Sequence, residues 1–486
     1  MSAGTILAHG IGGRSDLPVP LWLAQYGAVA ALVISFAVLG MFWRTPRLEG
    51  AAGDGRPLPE ALQAFADARA TRVGLRALGL LMAVATVLVA TLGPNNSGAN
   101  PAPTWVYVWF WVGLVPASLL LGPVWRLLNP LRTISAGLAW LAGDPGHERT
   151  RPMPPRLGYW PAAVALVVFA WLELVYPHRD EPYTVLVFLV LYAWVQLVAA
   201  FRYGPAWYAR GDGFEVYSTL VASLCPIGRR TDGRLGLRNP LAGLAALRPA
   251  PGLLAVICAL LGSTAFDGLS RTRFWTDLTL DLHPVASTVV GTVGLLGAIG
   301  VVVVTYTAAI RGAERYRRVR PAAVPGGAGN PQVPLSWQFA HSLVPILIGY
   351  TVAHYFSLLV FQGQAGYILA SDPLQKGWDL FGTADWKMNL LLVSTSAIAL
   401  IQVGSIVNRP RPRGRGRPRP RRDHLPRPRH APWPVPAADH DGLLHPQRHR
   451  PAGRHLTYWA GGPGATRSSR WPRPRSWKAA NSSVKP

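Results

Sequence analysis

Apolar residues along this chain come in long unbroken runs separated by short polar segments. They show neither the alternation of a half-buried strand nor the one-sided stripe of a soluble helix. Nine stretches hold about 20 predominantly apolar residues, the length that crosses a bilayer core as helix: residues 18–43, 74–94, 105–126, 158–177, 183–201, 253–269, 284–310, 334–360 and 388–407. In lipid a spanning segment must satisfy its own backbone as a helix or a closed barrel, and barrel alternation is missing here. The expected fold class is all-α: a polytopic transmembrane helix bundle of about nine spans. The chain then divides into an extracytoplasmic N-terminal segment (1–17), a transmembrane helical domain (18–407) and a polar tail (408–486).

The connections support this count. Arg and Lys number six in 44–76, none in 94–104, five in 123–157, one in 177–182, seven in 202–249, two in 264–283, five in 311–333 and two in 361–387. High and low values alternate without exception, and one missed or invented helix would scramble them. Because basic loops stay on the cytoplasmic side, the expectation is a plasma-membrane protein with its N-terminus outside and its Arg-rich loops in the cytoplasm. The bilayer is the expected partner. The first seventeen residues hold only Thr5–Ala8 as an apolar core, too short for a cleaved signal.

Composition sharpens the picture at the C-terminus. Half the 486 residues are apolar, 15% are charged, and the net charge is +25. The tail alone carries +16 of this charge, with 15 Pro and runs such as Arg409-Pro410-Arg411-Pro412-Arg413. Such text cannot bury a core, and reads either as an anion-binding arm or as a GC-rich gene translated out of register, since Arg, Pro and Gly codons begin with CG, CC and GG. The second reading is preferred. A one-base shift lets 408–423 finish the ninth helix and the text near 439–452 become a tenth span. The six His and three acids of the tail are then set aside, and no nucleic-acid partner is expected. Two cysteines, Cys225 and Cys258, exclude a disulfide scaffold or a Cys-based metal cluster.

Ionisable groups at bilayer depth are costly and therefore candidates for function. The eighth stretch carries His341 and His354 with Pro345 between them; at 1.5 Å per residue they stand about 20 Å apart, too far to share one ion. Glu173 and Asp267 close the fourth and sixth stretches at the end expected to hold His354. Two carboxylates and an imidazole are a minimal set for general acid–base work or for a divalent metal ion. The candidates are His354, Glu173 and Asp267 for catalysis, and His354, Glu173 and His341 for a metal. Haem is disfavoured, because no other span supplies a matching pair of axial ligands. Asn129-Pro130-Leu131 and Asn239-Pro240-Leu241 repeat a word that reads as an Asn N-cap with Pro at the first helical position. Gly291, Gly294, Gly297 and Gly300 offer close helix approach. Trp105, Tyr107, Trp109, Phe110 and Trp111 form an interfacial anchor or the wall of a pocket for an apolar aryl substrate.

The run Ala8-His9-Gly10-Ile11-Gly12-Gly13-Arg14-Ser15-Asp16-Leu17-Pro18, with Leu128-Asn129-Pro130-Leu131-Arg132 and Ile401-Gln402-Val403-Gly404, resembles actinobacterial multi-pass membrane proteins named fenitrothion hydrolase. The likeness spans residue 8 to about 407. It departs where the family has a secretory signal before the Ala-His-Gly run and where its ninth span continues. The resemblance implies hydrolysis of an organophosphate, an aryl phosphorothioate ester, with release of a nitrophenol. No His-x-His pair of the kind that holds two metals in soluble organophosphate hydrolases occurs in residues 1–407. The alternative is a transporter or metal-handling membrane protein that uses its intramembrane His residues.

Overall fold

A computed structural model describes residues 55–245, 247–319, 336, 339–394, 396–398 and 400–401. The expected first span, the N-terminal segment and the Arg/Pro-rich tail, with its expected frame shift, lie outside the described residues. What is described is a helix bundle. Six of its helices are long and apolar enough to cross a membrane, and a seventh, Trp160–Leu174, is apolar but shorter. The chain is thus an α-helical membrane protein by composition and helix length.

After β1 (Arg56–Pro57) and α1 (Glu60–Asp67), α2 (Arg69–Leu92) is the first long helix. The next runs through α3 (Ala102–Thr104), a π-helical stretch Trp105–Val112 and α4 (Leu114–Leu121). The wide π turns are held from outside: Trp105 and Trp109 donate their indole N–H groups to the Gly366 and Gly363 carbonyls, both at 2.9 Å. A Cβ at Gly366 would lie 2.5 Å from the Trp109 ring, so only glycine admits this approach. The aromatic cluster thus fastens two spans to each other.

Short α5 (Trp125–Leu128) leads into α6 (Pro130–Leu141), and Asn129 caps it by accepting from the Leu131 N–H at 3.0 Å. Asn239 does the same at 2.9 Å for α11 (Pro240–Ala245), so the repeated Asn-Pro-Leu word is a cap with Pro in the first turn. Between them lie α7 (Trp160–Leu174), α8 (Pro182–Tyr203), α9 (Tyr208–Gly211) and α10 (Gly213–Ala222). The sequence reading placed all of 202–249 in a loop. Instead α10 sits in the middle of the bundle, with nine of its ten residues buried. Phe214 and Tyr217 pack on Trp111, Phe214 also packs on Phe169, and Ser218 pairs with Ser118 at 2.8 Å.

Beyond α10, β2 (Ile227–Arg229) and β3 (Leu235–Leu237) join β1 in a small antiparallel sheet of order β1-β3-β2, with Arg56 and Ile227 both opposite Leu237. Gln63 extends it by exchanging two hydrogen bonds with the Leu235 backbone. An all-helical expectation had no place for this sheet. Then come α12 (Leu253–Ser270), α13 (Arg273–Thr279), α14 (Pro284–Val319) and, after the 3-10 turn Ala340–Leu343, α15 (Val344–Ile368). Gly262 lets α12 approach α14, since an added Cβ there would meet the Ile299 Cα at 2.5 Å. Of the four spaced glycines, Gly291 meets Val175 and Gly294 meets Trp275 and Phe266, while Gly297 and Gly300 face open space.

Two boundaries differ from expectation. The eighth stretch is helical from Ala340 through Ser371, past the expected end at 360. Pro345 falls in the first turn of α15, where its missing N–H costs nothing, so it starts the helix and kinks nothing. The ninth stretch is irregular through residue 394. There Asn389 exchanges backbone hydrogen bonds with the Gln364 side chain (2.8 and 3.1 Å), which binds this segment to α15.

Candidate functional site

Glu173 stands next to the last residue of α7, and Asp267 lies one turn before the end of α12. These helices pack together, and α15 brings His354 against them. His354 Nε2 meets Asp267 Oδ2 at 2.7 Å; since an ionised carboxylate only accepts, Nε2 carries the proton. Arg271, one turn on from Asp267, donates to both its oxygens at 3.0–3.2 Å. Tyr355 stands beside the same carboxylate, with its ring edge-on to His354 at 4.7 Å. Both carboxylates are buried, Glu173 to 3% and Asp267 to 4% exposure. The three residues expected to act in catalysis therefore come together.

Within this group Glu173 differs. It feels the charges of Asp267, Arg271 and Arg179, yet its carboxylate accepts no hydrogen bond from any described residue. It lines a cavity of about 410 Å³ walled by Pro103, Tyr107, Ile368, Leu369, Trp386 and Met388, with Arg179, Asp180 and Lys387 also on its lining. An apolar pocket of this size with a few convergent polar groups suits a small organic molecule. Of the aromatic cluster, Tyr107 joins the wall, and its hydroxyl donates to the Arg179 carbonyl at 2.8 Å.

The metal expectation fares differently. His341 lies on the 3-10 turn before α15, thirteen residues from His354, and is not brought to Glu173. Among the described residues no group of three or more His, Cys, Asp or Glu is arranged to hold an ion. His354 and Arg271 already occupy the Asp267 oxygens. What the described residues bring together is two carboxylates and one imidazole, with Arg271 on Asp267.

A second buried polar cluster escaped the sequence reading. It gathers at the opposite end of α8 from Pro182, around the start of α10. Arg132 pairs with Glu215 at two points, Nε to Oε2 at 2.7 Å and Nη2 to Oε1 at 2.6 Å, and its third nitrogen, Nη1, donates to the Pro205 carbonyl. Asp212 caps α10, accepting from the Phe214 and Glu215 N–H groups at 2.9 and 3.3 Å. Tyr192 donates to its Oδ1 and Asn129 Nδ2 to its Oδ2, each at 2.7 Å. Tyr208 closes the cluster, its ring under the Arg132 guanidinium at 4.9 Å and its hydroxyl on the Leu131 carbonyl. Burial lifts the Asp212 carboxyl to about 6, with neighbouring Glu215 adding to the rise and the Tyr192, Glu215 N–H and Asn129 hydrogen bonds opposing it. A signal was present in the text: Asp212 and Glu215 have the spacing of a helix-start capping box.

Fold and site together define a polytopic α-helical membrane protein with a buried acid–base group opening on an apolar cavity. Set against family models, curated proteins and solved structures, the chain has no match in any of the three.

Proposed function

We propose that this protein is a plasma-membrane hydrolase that takes a small, largely apolar aryl phosphorothioate ester into the Glu173 cavity. The reading rests on the resemblance to proteins named fenitrothion hydrolase and on one observation above all: a carboxylate buried to 3% exposure, with no hydrogen bond from a described residue, on the wall of an apolar cavity. Such a group wants a donor, and a water molecule supplies one. Glu173 takes the proton of that water as its oxygen attacks phosphorus; the new P–O bond forms, the bond from phosphorus to the aryl oxygen breaks, and the phenolate leaves with the electron pair. Arg179 and Lys387 on the lining offset the developing negative charge. Asp267, held by His354 and Arg271, stands as a second carboxylate near Glu173.

In the same proposal the chain crosses the membrane nine times, with its N-terminus and the Glu173 cavity outside and the Arg-rich loops in the cytoplasm. The support is the alternation of Arg and Lys between connections, together with the six long apolar helices and Trp160–Leu174. The purified full chain in detergent is expected to release nitrophenol from a nitrophenyl phosphorothioate triester, and Glu173→Gln to abolish release while the protein stays folded. Equal release by Glu173→Gln, or none by the wild type, overturns the hydrolase.

A transporter is the second reading, favoured by the presence of a further buried ionisable cluster at the far end of the same bundle. It predicts uptake of the intact ester into proteoliposomes, driven by a pH difference and without nitrophenol release.

A further inference from the structure

We propose that Asp212 is a proton-binding site of this protein, separate from the Glu173 cavity and at the opposite end of the bundle. The argument is one of charge and valence. Two carboxylates, Asp212 at 0% and Glu215 at 1% exposure, share a cluster with a single guanidinium. That guanidinium is committed: Nε and Nη2 serve Glu215, and Nη1 serves the Pro205 carbonyl. Asp212 receives only neutral donors, namely Tyr192 from α8, Asn129 at the start of α6, and the Phe214 and Glu215 N–H groups of its own helix. The titratable and charged groups around it are Arg132, Tyr192, Tyr208 and Glu215. Among the described residues, an ionised pair Arg132–Glu215 thus leaves Asp212 as an extra negative charge buried without a counter-ion, a condition that a carboxyl relieves by taking up a proton.

The position of the proton follows from the hydrogen bonds. Oδ1 accepts three of them, from Tyr192, Phe214 and Glu215, while Oδ2 accepts one, from Asn129. The proton therefore adds to Oδ2. Burial, opposed by these donors, places the exchange at about pH 6. Asn129 Nδ2 also reaches Glu215 Oε2 at 3.4 Å, so the same amide lies between the two carboxylates and senses which of them is charged.

Infrared difference spectroscopy of the full chain, reconstituted in lipid and titrated from pH 4 to pH 8, tests the proposal through the C=O stretch of a protonated carboxyl, which a carboxylate lacks. A band lost with a midpoint at about pH 6, absent in Asp212→Asn and kept in Glu173→Gln, is expected. If Asp212→Asn does not fold, Asn129→Ala serves instead: losing a donor to the charged form raises the midpoint. No band titrating in this range, a band unchanged in Asp212→Asn, an unmoved midpoint in Asn129→Ala, or loss of the band in Glu173→Gln overturns it. The last outcome reports on Glu173 without bearing on hydrolysis, so the two proposals fail separately.

Discussion

Replacing Arg132 with Met removes the cation paired with the buried Glu215 and isolates the energetics of the cluster. Glu215 has a side-chain exposure of 2% and holds two short hydrogen bonds from the guanidinium. Removing one partner of a buried ion pair costs about 3–5 kcal/mol, because the remaining charge stays desolvated. Loss of the cation over the Tyr208 ring adds about 0.5–1 kcal/mol. The Arg132 side chain is 16% exposed, which moves the total toward about 3 kcal/mol. Glu215→Leu alone costs less, since Arg132 can turn to water. The double variant removes both charges and the desolvation they demand, and is expected within about 1 kcal/mol of the wild type. Equilibrium unfolding in mixed micelles, followed by tryptophan fluorescence, gives the four free energies of the cycle. A double variant whose loss equals the sum of the single losses, or an Arg132→Met variant costing under about 1 kcal/mol, refutes a tightly coupled buried pair.

Three further outcomes follow from the same geometry. Asn129→Ala removes both a cap and a hydrogen bond to a carboxylate and is expected to cost about 2–4 kcal/mol, whereas Asn239→Ala at an exposed cap costs about 1 kcal/mol; equal thermal shifts would show that the Asp212 contact carries no weight. Gly262→Val drives a Cβ against the Ile299 backbone and is expected to lower the yield of folded protein sharply, while Gly297→Ala, facing open space, leaves it unchanged. Asp212 has a folded-state pKa raised from 3.8 to about 6. Its stabilising contribution is thus fully present below pH 3.8 and lost as pH rises through about 6, a loss of about 3 kcal/mol. Unfolding free energies at pH 5 and pH 7 should differ in the wild type and converge in Asp212→Asn, and an unaltered difference in that variant argues against this source.

The long helices were legible because a spanning segment must close its own hydrogen bonds, which forces apolar length into the text. Glu173, Asp267 and His354 were legible for a related reason: each breaks an apolar run near the same end of the bundle. What could not be read was α10. At ten residues it is too short to register as a span, and the Arg residues on both sides assign its surroundings to a loop by the very rule that oriented the rest. Asp212 and Glu215 therefore seemed to face water. Their burial depends on Tyr192, Asn129 and Arg132 arriving from other helices, and no local pattern encodes such a meeting. Likewise the end of the eighth stretch was set at 360, because Gln362 and Gln364 interrupt the apolar run, while the helix continues to Ser371.

The helix α14 carries its own consequence. Its 36 residues measure about 54 Å, and the apolar part, 284–310, about 40 Å, against a hydrocarbon core of about 30 Å. Along most of that length side chains such as Val285, Val289, Val293, Val301 and Val304 are exposed with respect to the described residues. In a bilayer, fitting the excess would require a tilt of about 40° or a local thickening, at fractions of a kcal/mol per Å of mismatch. Since α14 packs on α12, with Gly262 against Ile299, such a mismatch would act on the helix bearing Asp267. Membrane thickness is, for this molecule, a thermodynamic variable of the acid–base group in the same sense as pH.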